Sequence, residues 1–363
     1  MFRIKQQIRS LYASSVLGSL SLTGAWVAIL AARGFSLVEI GLAETCYHAA
    51  RLLTEIPSGT LADVFGRKRM LIISTFIHIL ANILMILSDG LALVCLSIAL
   101  IAVCDSFASG SGDALAYDSL KTAGQEKTYD RFESNQLMIY RLFGGISTLC
   151  AGIALIIGYR IAYATGIVTA LIQAGILASL KEIRTGSPEK TASSAPKALL
   201  DCFRDSLRFL RKEVKAFLLM MANSLIGAMD ILLLFFLQAK LPEAGIPDAW
   251  LGPALFAMEL GGILGAKLIL KFKKHSYRTV FTAAAVLILA GILLEHTGTV
   301  LLMAAGGFIA ALADDALQVR TNTRLQAMFP SEQRATLISV ESFTFSIIMI
   351  VLSPLAGFFF SVW

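Results

Sequence analysis

Glu44, His48, Arg51 and Glu55 recur at offsets 0, 4, 7 and 11 inside a run of apolar residues. On a helix those offsets make one continuous face. An acid, a base and a permanent cation on one face can relay a proton, hold a charged ligand, or satisfy one another between helices. Asp105 is the second such place, with Asp113 two turns further along nearly the same face. Asp105 has no evident partner at its own depth, so it is the first choice for proton exchange or for contact with a cationic substrate. Asp113 is expected to form a structural ion pair with Arg141. In the second half Asp230 and Glu259 fall near the middle of apolar segments, whereas Asp314, Asp315 and Glu341 read as gating or helix-end groups. Mutual satisfaction between helices competes with function for all of them. Glu44 and His48 at i and i+4 also fit half of a metal or acid–base site in a membrane enzyme, but no third ligand follows at a suitable spacing.

These charges matter because of what surrounds them. Hydrophobic residues make up 56% of the 363 and charged residues only 15%, too few to cover a soluble surface. Eleven apolar segments are read, at about 11–32, 35–57, 70–88, 91–116, 135–157, 160–180, 216–238, 249–270, 277–294, 298–319 and 335–360. Each is long enough, at about 1.5 Å per residue, to cross a hydrocarbon core of about 30 Å as a helix. Backbone groups left open in lipid exclude irregular spans, and barrel strands would be half as long. Of the 31 Lys and Arg, 25 lie in the amino-terminal tail or in alternate connections, against Arg33, Arg160 and Lys240 on the other side. That bias predicts a multi-pass protein of the cytoplasmic membrane with its amino terminus in the cytoplasm, and it accounts for the net charge of +6 without nucleic acid.

The longest connection divides the chain into residues 1–184, a linker over 185–215, and residues 216–363. Within the linker, Ala198 to Lys212 has an apolar face of Leu199, Leu200, Phe203, Leu207 and Leu210, which predicts an amphipathic helix on the cytoplasmic surface. The expected fold is all-α, with two pseudo-symmetric six-helix bundles. Duplication of a six-helix unit calls for twelve spans, so a twelfth helix is expected to be missing from this chain.

The turn after the second segment reads Gly59-Thr-Leu-Ala-Asp63-Val-Phe-Gly66-Arg67-Lys-Arg69. Its glycines permit a tight reversal, and its basic trio suits lipid phosphate. This turn resembles the signature loop of the major facilitator superfamily: glycine, three residues, aspartate, two residues, glycine, arginine, then a basic residue. The resemblance in topology runs the length of the chain. Two further matches are partial. Gly110 and Gly112 resemble a glycine pair whose usual arginine is here Ser106, and the fifth segment has Gly144, Gly145 and Gly152 but lacks the proline of drug–proton antiporters.

The resemblance implies a cytoplasmic gate at Gly59, Asp63, Gly66, Arg67 and Arg69, alternating access about a midplane site, and a monomer. The closest kinship expected is with bacterial drug or metabolite efflux members. The reading is therefore a secondary transporter, not an enzyme. It exports a small amphipathic or cationic compound by proton antiport, with proton-coupled uptake of a nutrient or metabolite as the alternative. Transport and coupling are assigned to Asp105, Glu44, His48, Asp230 and Glu259. Substrate, protons and membrane lipid are the partners, with no cofactor and no metal. No phosphate loop of the form Gly-x-x-x-x-Gly-Lys-Ser/Thr is present to drive transport.

Overall fold

In the computed structural model every regular element among the described residues is helical. The structure describes residues 4–183, 204, 208, 212–272, 274–328 and 334–362. In chain order the helices are α1 (Ile4–Ser19), α2 (Trp26–Ala32), α3 (Leu37–Phe65), α4 (Arg67–Leu87), α5 (Leu91–Ala108), α6 (Ser111–Thr122) and α7 (Tyr129–Leu149). They continue as α8 (Ala151–Ile157), α9 (Tyr159–Ala178), α10 (Val214–Glu243), α11 (Asp248–Leu268), α12 (Tyr277–Glu295), α13 (Val300–Met328) and α14 (Arg334–Val362). Most of the expected amphipathic helix over 198–212 lies outside the described residues.

Eight helical stretches among the described residues are long and apolar enough to cross a membrane, or nine when α7 and α8 count as one span. Of the eleven continuous segments expected from the sequence, the first and second are not among these stretches, and three are interrupted. The first divides into α1 and α2, the fourth into α5 and α6 at Ser109-Gly110, and the fifth into α7 and α8. Gly110 makes the second of these breaks, since its φ of +63° is a left-handed conformation that other residues adopt only with strain. By contrast α3 is a single helix of 29 residues, and it carries more charge than the eight, with Glu39, Glu44, Arg51 and Glu55 along it. Pro354 interrupts nothing, since α14 continues through it.

Two compact units result. The first contains Met1–Gly24, Cys46–Cys150 and Ile157–Phe203; the second contains Ala25–Thr45, Ala151–Ile156 and Arg204–Trp363. In the first unit Leu11, Leu71, Leu115, Leu120, Phe132 and Leu177 form a buried cluster. Gln7 clamps its edge, donating to the Lys181 carbonyl at 2.8 Å and accepting from the Lys181 amide at 3.0 Å. Both polar ends of a buried amide are thus satisfied.

The second unit is held by small residues. A Cβ at Gly261 would collide with the Phe308 carbonyl and one at Gly265 with the Leu312 carbonyl, so α11 and α13 approach backbone to backbone. Glycines four residues apart create that close crossing, which compensates in lipid for a weak hydrophobic drive between helices. Around it pack Leu237, Leu255, Met258, Ile288 and Leu317. The start of α3 belongs to this unit by the same device. Gly41 lies against the backbone of Ser353 and Pro354, and Gly357 against Leu37. Ser36 and Glu39 cap that start reciprocally, with the Ser36 amide donating to Glu39 Oε2 at 2.8 Å and the Glu39 amide to Ser36 Oγ at 3.3 Å.

Candidate functional site

In the first unit, α3 and α5 are joined by polar side chains. The Tyr47 hydroxyl donates to Asp105 Oδ2 at 2.8 Å, and Thr54 Oγ1 is 3.0 Å from Ser106 Oγ. Arg51 Nε lies 3.4 Å from Glu55 Oε2, and the guanidinium is also within reach of the Tyr47 hydroxyl and the field of Asp105. Asp105 therefore has partners, contrary to the sequence expectation, although it remains exposed. Tyr47, Arg51 and Thr54 stand at offsets 0, 4 and 7 on α3, a periodicity that would have found Tyr47 had hydroxyls been counted with charges. Glu44 and His48 are buried on the same helix, and the His48 ring meets Tyr47 edge-on with centroids 5.2 Å apart.

The α5–α6 break opens onto a cavity of about 860 Å³ within this unit. Ser109 and Gly110 at the break form part of its wall, with Ser14 of α1, Gln173 of α9 and Ser134 of α7 around them. Asp113, Asp130 and Glu133 give the wall three carboxylates, and no basic residue among the described residues lines it. Asp113 sits in the first turn of α6, where the helix dipole favours negative charge. Gln136 Oε1 is buried with no hydrogen-bond partner among the described residues, leaving an acceptor at the lining. The expected Asp113–Arg141 ion pair does not form among the described residues: Asp113 lines the cavity and Arg141 is exposed. Arg141 lies five residues along α7 from Gln136, about 140° round the helix, and Gln136 takes the wall position instead.

The second unit holds a cluster of acids. Asn223, Gly227 and Asp230 occupy one face of α10 at offsets 0, 4 and 7. Asp230 feels the charges of Asp314 and Asp315 on α13. Glycines make room for both partners: a Cβ at Gly227 would stand 3.2 Å from Asp314 Oδ1, and one at Gly262 would overlap Asp315 Oδ2. Asn223 Nδ2 donates to Glu341 Oε1 of α14 at 3.3 Å. Asp314, Asp315 and Glu341, read from the sequence as gating groups, are thus drawn towards Asp230 and its helix face. Glu259 is exposed on α11 and is not among the charges acting on Asp230. No group of three His, Cys, Asp or Glu among the described residues has a metal-binding arrangement.

At the turn from α3 to α4, Gly66 adopts φ +100°. Arg67 Nη1 pairs with Asp118 Oδ2 and donates to the Ala114 carbonyl at 2.8 Å, both on α6. Glu182 accepts from the Arg67 and Lys68 amides at 3.0 Å each, closing the amino terminus of α4 where Gly66 offers no side chain. Arg69 is exposed. Gly59 and Asp63 fall within α3, and the side chain of Asp63 lies outside the described residues.

Residues 10–354 match the family described as Major Facilitator Superfamily. The chain belongs to that superfamily. It is 22% identical over 325 residues to the MFS-type transporter YxaM of Bacillus subtilis (strain 168), covering 87% of this chain and 79% of YxaM. Among solved structures, a bacterial homologue of the human lysosomal transporter Spinster, inward-facing and unoccupied, superposes with a TM-score of 0.72 at 18% identity, over 96% of this chain and 81% of that one. The nucleoside transporter NupG superposes with a TM-score of 0.68 at 15% identity, over 99% and 96%.

As a superfamily member the chain is a multi-pass membrane protein and a secondary transporter of a small molecule rather than an enzyme. The broken span and its acidic cavity have a ready use in such a protein, because irregular backbone at membrane depth persists only where protein or an aqueous cavity covers it.

Proposed function

We propose that this superfamily member takes up a small polar metabolite together with protons. The observation that carries this reading is the cavity of about 860 Å³ at the α5–α6 break, where serine hydroxyls, amides and the carboxylates of Asp113, Asp130 and Glu133 are set among Leu11, Leu71, Ala108, Leu137 and Tyr140. The polar part of that wall matches hydroxyl, amide and ammonium groups. A lipophilic compound would leave those polar groups desolvated and unpaired. For that reason uptake, the alternative reading of the sequence, replaces export of an amphipathic compound. The names of structural neighbours point the same way, one being a nucleoside transporter and another a peptide transporter.

Proton coupling falls to Asp105, tied to Tyr47 and Arg51, and to the group of Asp230, Asp314 and Asp315. A carboxylate gains and loses a proton as access to it alternates, and a neighbour of like or opposite charge sets which state is favoured. Glu44, His48 and Glu259 are kept as secondary coupling candidates. Arg67, held to Asp118, fixes the signature turn, and Gly59, Asp63, Gly66, Arg67 and Arg69 form the cytoplasmic gate. The protein lies in the cytoplasmic membrane with its amino terminus inside, on the strength of the Lys and Arg bias, and works as a monomer.

The test is accumulation of radiolabelled nucleosides, dipeptides and sugars in proteoliposomes whose interior is alkaline. One of these classes should accumulate and be released by a protonophore. Concentration only against an opposite gradient, with lipophilic cations as substrates, would restore export.

A further inference from the structure

The second unit contains a polar pocket that the transport reading leaves unused. It encloses about 300 Å³ where α10, α12, α13 and α14 meet, at the low end of the usual ligand-site range of about 300–1,000 Å³. Glu295, the last residue of α12, lines it at 3% exposure. Both of its carboxylate oxygens are buried and meet no hydrogen-bond partner among the described residues. A carboxylate held this way is costly unless something in the pocket compensates it.

The other charges do not do so by contact. Lys240 lines the same pocket, but its ammonium is held by Glu243 at 3.1 Å. With Lys240 and Glu243 offsetting each other, Glu295 is the acid of the lining with no counter-charge in contact among the described residues, and a bound cation would favour its ionised form. The remaining wall is soft and aromatic. Phe360 and Met303 line the pocket, and the His296 ring stacks on Phe360 with centroids 5.5 Å apart and planes at 17°. The His296 Nδ1 is taken up by the Ile292 carbonyl at 2.6 Å, which fixes that stack. A buried carboxyl group beside aromatic and thioether side chains suits an alkylated ammonium, by charge on one side and by apolar contact with its methyl groups on the other.

We propose that this pocket binds a small organic ammonium ion, with Glu295 as its counter-ion and Phe360 as its aromatic wall. It is separate from the acidic group around Asp230. Lys240 lies ten residues along α10 from Asp230, about 15 Å by helical rise.

The experiment uses the full chain purified in detergent, with choline as probe and 3,3-dimethylbutan-1-ol as its uncharged counterpart, followed by ligand-observed NMR titration. Choline should bind and the alcohol should bind at least about tenfold more weakly, because the charge-assisted contact is lost. Glu295→Gln should weaken choline by at least about tenfold and Phe360→Leu by about fivefold. Equal binding of choline and the alcohol to the unmodified chain would overturn the proposal, and that comparison needs no variant to fold. So would choline binding that survives Glu295→Gln but is lost in Asp230→Asn, which would place the cation elsewhere.

Discussion

Tyr47 contributes a single hydroxyl to Asp105, which makes Tyr47→Phe the mildest probe of the coupling network. The variant removes one hydrogen bond to a charged group and leaves the ring against His48. At an exposed carboxylate that bond is worth about 1 kcal/mol, so substrate-driven proton flux should fall about fivefold while the amount of folded protein is unchanged. Asp105→Asn, which keeps the shape and removes the titrating group, should abolish gradient-driven accumulation and leave downhill exchange; gradient-driven accumulation at the original level would remove Asp105 from the mechanism. Asp118→Asn probes structure instead. Asp118 is buried at 4% exposure beneath the Arg67 guanidinium, so the variant removes the charge that Asp118 sets against a partly buried cation. A loss of about 3 kcal/mol is expected, read as a lower unfolding midpoint in detergent. At this scale the sequence was readable where a residue is rare in its setting. Asp105 and Asp230 stand out as charges among apolar neighbours. Tyr47 and Gln136 do not, because tyrosine and glutamine are ordinary in helices and only neighbouring elements reveal their roles. The Asp113–Arg141 pair failed for a related reason, since equal depth along two helices does not fix which way each side chain turns.

At the level of elements, the approach of α11 and α13 is the feature most sensitive to a single atom. Gly265→Ala places a methyl against the Leu312 carbonyl, where backbone meets backbone and no flexible side chain can yield. The expected cost is about 1–3 kcal/mol, seen as lowered thermal stability. Gly262→Ala should act differently, because the added methyl meets the Asp315 carboxylate rather than backbone. Transport should suffer more than stability there, and an equal loss of both would count against a role for Asp315. Helix positions were legible from hydropathy, whereas the breaks were not. A hydropathy window averages across Ser109-Gly110 and Leu20 to Ala25, so α5 with α6 and α1 with α2 each read as one segment. The Gly66 reversal was legible because the turn motif names it.

For the whole molecule, alternate clustering of Lys and Arg and the signature turn were enough to anticipate the superfamily, which the match over residues 10–354 shows. What the chain carries was less legible. Apolar spans look alike whether they serve a drug or a metabolite, and the distinction rests on a cavity wall assembled from α1, α4, α5, α6, α7 and α9. Proton movement measured outside right-side-out proteoliposomes on adding substrate, without any imposed gradient, tests proton-coupled uptake most directly. The account predicts that the external medium turns alkaline as protons enter with the substrate, and that Asp105→Asn silences the signal. Acidification of the medium, or substrate entry with no proton movement at all, would contradict it.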